Sequence, residues 1–119
     1  NMKFLAFNSA PASTGANEET AMIPLKNFNG MINGATNELE MHFSGFRPRG
    51  FGDGDGQNDG MMIKFTVADA SMFEVMSAFA EEISVFSDND EQILTMYQLT
   101  VSPIHSAAGT MVINVDERT

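Results

Sequence analysis

The chain has 119 residues, enough for one domain with a real core and too few for two. Sixteen acidic residues against six basic ones leave a net charge of −10, a field that repels phosphate backbones and argues against nucleic-acid partners. With no cysteine, disulfides, thiolate metal sites and thiol nucleophiles are excluded.

Asn1 precedes Met2, the pattern of a tag remnant ahead of a start residue, and Asn8, Ser9 and Pro11 interrupt any signal-peptide pattern early. No apolar run approaches the roughly 18 residues of a membrane span. The expectation is synthesis in the cytoplasm, without a signal peptide or membrane segment. Residues 1–119 read as a single α+β domain, with loops at 8–20 and 45–60.

Lys3 to Phe7 is a short apolar run and reads as a strand. Residues 8–19 are small and polar with Pro and Gly, a connecting loop. Ala21, Ile23 and Leu25 then alternate with Met22, Pro24 and Lys26, and Pro24 lacks the N–H that an interior strand would need. Asn29-Gly30 and Asn33-Gly34 are turn dipeptides, with Met31-Ile32 as a short buried anchor between them. Glu38 to Phe46 is the clearest strand, with Leu39, Met41 and Phe43 on one side and Glu38, Glu40, His42 and Ser44 on the other. Gly45 to Gly60 holds six glycines and a proline and reads as a long hairpin loop. Alternation resumes over Met61–Val67, with Ile63, Phe65 and Val67 opposed to Met62, Lys64 and Thr66.

From Asp69 to Phe86 the period changes. Met72, Val75, Met76, Phe79, Ile83 and Phe86 recur at steps of three and four, one face of a helix, while Glu74, Ser77, Glu81 and Ser84 turn away. Ser71 followed by Glu74 has the spacing of a capping box, with Asp69 as a competing N-cap. Ile93–Val101 alternates with apolar residues on both sides, the pattern of a central or doubly covered strand, and Met111, Ile113 and Val115 form a last one. The order of four strands, one helix and two strands predicts an α+β fold: a mainly antiparallel sheet of five to six strands, with the helix across one face. The other face, with Met22, Met62, Leu94, Met96 and Val112, is then left partly apolar, and a second copy of the chain is the expected cover.

Four groups of residues bear on chemistry. Asp53, Asp55 and Asp59 alternate with glycines, which lets hard oxygen ligands converge as calcium requires; the stretch is similar to the first half of an EF-hand-type loop. No glutamate closes it in either register, for position twelve is Lys64 counted from Asp53 and Thr66 counted from Asp55. A weak calcium or small-ligand module therefore stands beside the plainer alternative of a solvated hairpin loop. Phe46-Arg47-Pro48-Arg49-Gly50-Phe51 could clamp an anion, but two arginines are few against the aspartates that follow. His42 and His105 have no nucleophile elbow or metal partner in the pattern, and Glu81-Glu82 read as the solvated side of the helix.

Ile23-Pro24-Leu25 before a turn, the alternation over Leu39–Phe43, a strand leading into a Met/Ala-rich helix, and the final hairpin together resemble small uncharacterised proteins of marine phages and marine metagenomes. The resemblance spans residues 21–115 and is one of pattern, so it carries no functional residue across. It implies short α+β domains that self-associate, with a setting in virion assembly. The chain is thus expected to be a non-enzymatic, self-assembling structural or interaction protein without a cofactor; the alternative is the calcium- or small-ligand-binding module at 53–59.

Overall fold

A computed structural model describes residues 2–9, 20–44, 60–98 and 103–115. Among these the chain is α+β, with seven strands in two sheets and one α-helix. The first sheet has the order β2-β1-β6, from β1 (Phe4–Asn8), β2 (Thr20–Pro24) and β6 (Ile93–Gln98). The second has the order β3-β4-β5-β7, from β3 (Phe28–Ala35), β4 (Glu38–Ser44), β5 (Gly60–Thr66) and β7 (Met111–Val115). Its pairs are all antiparallel, whereas β1 pairs antiparallel with β2 and parallel with β6. The helix α1 spans Met72–Asp88.

One core joins the three layers. Leu5, Phe7 and Ile23 of the first sheet are fully buried, and so are Leu39, Met41, Phe43 and Ile63 of the second. Phe7 meets Phe43 edge-on at 6.0 Å between ring centroids. The helix enters the same core through Met72, Val75, Phe79 and Phe86, and Phe65 touches both Phe79 and Tyr97, at 5.2 and 5.7 Å. Close aromatic pairs of this kind add to the stabilisation from burial itself. The expected apolar stripe of the helix and the inward faces of β4 and β5 are as the alternation predicts.

Three expectations need correction. Residues 28–35 form a strand, so five strands precede the helix where four were expected. Register shifts between Phe28 and Gly30 and between Ile32 and Ala35 absorb both Asn-Gly pairs as irregularities, and Gly30 supplies the positive φ of 140° that the first requires. The anchor at Met31-Ile32 is only half made, for Met31 packs against the core while Ile32 is 52% exposed. The turn lies instead at Thr36-Asn37, with Asn37 in the left-handed region at φ 60°.

Next, the capping box does not form, since Ser71 makes no side-chain cap hydrogen bond. Residues Asp69–Ser71 make a 3₁₀ turn, and the Asp69 carboxylate accepts the Asn37 backbone N–H at 2.9 Å while the Asp69 N–H donates to Asn37 Oδ1 at 3.1 Å. Tertiary partners have taken the carboxylates of Asp69, the competing N-cap, and of Glu74, the other half of the box, whose Oε2 lies 3.5 Å from His105 Nε2.

The open face also differs from expectation. The β1–β6 register shifts between Ala6 and Phe7, which leaves Met96 out of the pairing. Met96 and the adjacent Tyr97 are both buried as a result. Leu94 packs on the core, and Met62 is buried on the second sheet. Of the five residues assigned to the open face, Met22 and Val112 alone are exposed, on different sheets. Leu94 and Met96 face inward because the chain divides into two sheets that cover one another, which alternation within single strands does not encode, while Met62 is buried on the side of β5 that also carries Lys64. β6 accordingly sits at the end of its sheet among the described residues, in place of the centre.

Candidate functional site

The outer face of the β2-β1-β6 sheet is a regular surface whose described positions carry no charged side chain. Its cross-strand rows follow from the register: Pro24–Phe4–Ile93, then Met22–Ala6–Thr95, then Thr20–Asn8–Gln98. None of these nine residues is ionisable, in a chain of net charge −10. Met22 and Ile93 are 48% and 49% exposed, and Thr20 Oγ1 donates to Asn8 Oδ1 at 2.9 Å across the last row. Met2, also half-exposed, precedes Phe4 by two residues. Beyond the first row lies a cleft of about 420 Å³ lined by Met2, Lys3, Leu25 and Lys26. The Leu25 N–H donates to the Lys3 carbonyl at 2.8 Å, which closes β1 against the end of β2. Lys3 itself is committed to the helix end: its ammonium donates to the carbonyls of Asn89 and Glu91 and lies 4.4 Å from the Phe86 ring centroid. A cation there answers the partial negative charge of the helix C-terminus.

The second sheet turns a different surface outward. Glu38, Glu40 and His42 of β4 and Lys64 of β5 share it, as the alternation predicts for β4. His42 Nε2 lies 3.0 Å from Glu40 Oε1, a pair two residues apart on one strand face. Gly34 makes this possible, because a Cβ there would overlap the Glu40 carboxylate. Next to His42 a cleft of about 330 Å³ is lined by Asn29, Gly30, Met31 and Ile32. His105 is paired as well. Its Nδ1 accepts the Ala107 N–H at 3.0 Å, which leaves the proton on Nε2, and Nε2 lies 3.5 Å from Glu74 Oε2 on the first turn of the helix. Both histidines thus meet a carboxylate partner that sequence spacing did not single out.

Comparison with protein-family models, with curated proteins and with solved structures finds no match to this chain.

Asp53, Asp55 and Asp59 lie outside the described residues, as do Arg47 and Arg49 and the aromatics beside them. Among the described residues no three His, Asp or Glu side chains gather as metal ligands would. Glu81 and Glu82 stand exposed on the helix, as its apolar stripe requires. Among the described residues no helix is long and apolar enough to cross a membrane. The uncharged sheet face was invisible to pattern reading, since it needs three strands from distant parts of the chain. The signal that was present in the sequence was narrower: Phe4, Ala6, Met22, Pro24, Ile93 and Thr95 are each neutral at alternating positions.

Proposed function

We propose that this chain is a non-enzymatic, self-assembling structural or interaction protein. The observation that carries the reading is the segregation of charge. The helix bears four carboxylates and no cation, and β4 and β5 place Glu38, Glu40, His42 and Lys64 outward, while the β2-β1-β6 sheet presents a neutral and partly apolar face. Apolar surface of this kind, rimmed by charge, suits a contact between proteins. Both histidines are spent on carboxylates that hold a strand face and a loop in place, which supports a structural role for each. We place it in virion assembly, the setting that the sequence's resemblance to marine phage proteins implies.

Light scattering over a concentration series tests the reading. The mass is expected to rise above the 12.9 kDa of one chain as concentration increases. A mass that stays at one chain from micromolar to near-millimolar protein would sink the proposal.

A further inference from the structure

We propose that the cleft between the start of β1 and the 3₁₀ turn after β2 binds a small amphiphilic monocarboxylate, with its carboxylate on the Lys26 ammonium and its hydrocarbon tail along Met2 and Leu25. The proposal goes beyond the self-association reading and does not depend on it. The cleft holds about 420 Å³, within the roughly 300–1,000 Å³ of sites that take small molecules. Met2, Lys3, Leu25 and Lys26 line it, two apolar side chains and two cations with no carboxylate among them. The described residues include three lysines, Lys3, Lys26 and Lys64, and no arginine. Two of those three cations therefore stand at this one place, in a chain of net charge −10.

The walls are held in place before any ligand arrives. Leu25–Asn27 form the 3₁₀ turn; the Leu25 N–H donates to the Lys3 carbonyl at 2.8 Å, and Asn27 Nδ2 donates to the Ser44 carbonyl at 2.6 Å. The turn is thus fastened to β1 on one side and to β4 on the other, and Leu25 packs on the core as well. Preformed walls lower the ordering cost of binding. The two lysines differ in what they have left to offer. The Lys3 ammonium is spent on the carbonyls of Asn89 and Glu91 and on Asn89 Oδ1, all uncharged acceptors, so it lends positive potential but no spare donor. Lys26 is exposed and makes no hydrogen bond or ion pair with any described residue. One free ammonium is a point charge that suits one carboxylate. The field of the whole chain selects the ligand's charge, since a dianion is repelled about twice as strongly as a monoanion. A hydrocarbon tail offsets that repulsion by burial, and Met2, half-exposed and unbranched, has apolar surface to bury against it.

Calorimetric titration with octanoate, below the concentration at which it forms micelles, tests the site. Octanol serves as the uncharged tail and acetate as the bare head. Octanoate is expected to saturate one site with a Kd on the order of 1 mM, octanol to bind about three- to fivefold more weakly, and acetate not to saturate. Lys26→Gln should bring octanoate down to the level of octanol, while Lys26→Arg should retain it. Lys64→Gln makes the same change in net charge on the other sheet and should leave the affinity unaltered. Met2→Ser, at a half-exposed position outside the core, should weaken octanoate and octanol alike. Three results would each overturn the proposal: equal binding of octanoate and octanol, an equal loss from Lys26→Gln and Lys64→Gln, or no saturation by about 10 mM octanoate. Light scattering on the same samples keeps the two proposals apart. A chain that stays monomeric and still binds octanoate through Lys26 loses the self-association reading alone.

Discussion

Asn37 shows how much one residue can hold. Its left-handed backbone makes the turn between β3 and β4, its N–H and Oδ1 exchange hydrogen bonds with Asp69, and its carbonyl accepts the Val67 N–H at 3.0 Å. The hairpin is thereby clipped to the start of the helix, so the two elements share an orientation. Asn37→Ala loses the side-chain bond and leaves in the left-handed region a residue that tolerates it less well than asparagine, a combined cost of about 2 kcal/mol. Asn37→Gly loses the bond but relaxes the backbone, and should recover about 1 kcal/mol of that loss. Urea melts of the two variants decide the matter, and equal losses would show that the left-handed backbone carries no cost. Gly34 is a quieter case of the same economy, since the absence of a side chain is what lets the Glu40 carboxylate reach His42.

Within the helix, burial separates the apolar residues cleanly. Phe79 has no exposed surface and packs on Phe65, while Phe73, six residues earlier, is 83% exposed. Truncating a buried phenylalanine removes its transfer energy and leaves a cavity, so Phe79→Ala should cost about 3–5 kcal/mol. Phe73→Ala should change stability by less than about 0.5 kcal/mol. Denaturant melts of both test which way the stripe faces, and a loss under about 1 kcal/mol for Phe79→Ala would mean that it does not meet the core. The other end of the helix is secured from outside itself. Asp88 lies at the terminus where a negative charge is unfavourable, and Lys3, from the start of the chain, supplies the compensating cation. The tie also fixes the end of α1 beside the start of β1.

For the whole molecule the governing quantity is charge. Self-association works against the mutual repulsion of two −10 fields. Salt screens that repulsion, with a Debye length near 10 Å at 0.1 M. Association should therefore tighten as ionic strength rises from about 0.05 to 0.5 M, the reverse of an interface built on ion pairs. Sedimentation at several salt concentrations measures it, and an assembly that loosens with salt would point to charged groups at the contact.

The order of residues determined a good deal by itself. The inward sets Leu39, Met41, Phe43 and Ile63, Phe65, Val67, and the helix stripe through Val75 and Phe79, follow from periods of two and of 3.6 that any reading of the chain recovers. What stayed hidden involved partners distant in sequence. Asn29-Gly30 and Asn33-Gly34 favour turns locally, but pairing with β4 draws both into a strand. Ser71 and Glu74 have the spacing of a capping box, but Glu74 faces His105, Asn37 holds the competing cap Asp69, and a 3₁₀ turn precedes the helix. Leu94 and Met96 share the side of β6 that alternation assigned outward; pairing with β1 puts that side on the core, and the bulge opposite Ala6 and Phe7 brings Tyr97 in beside it. The neutral sheet face depended most on tertiary structure, because β2, β1 and β6 each contribute only three of its residues. Period is a property of one segment, while the choice of neighbours is made by the energy of the whole fold. A surface assembled from three segments therefore exists only once the fold has brought them side by side.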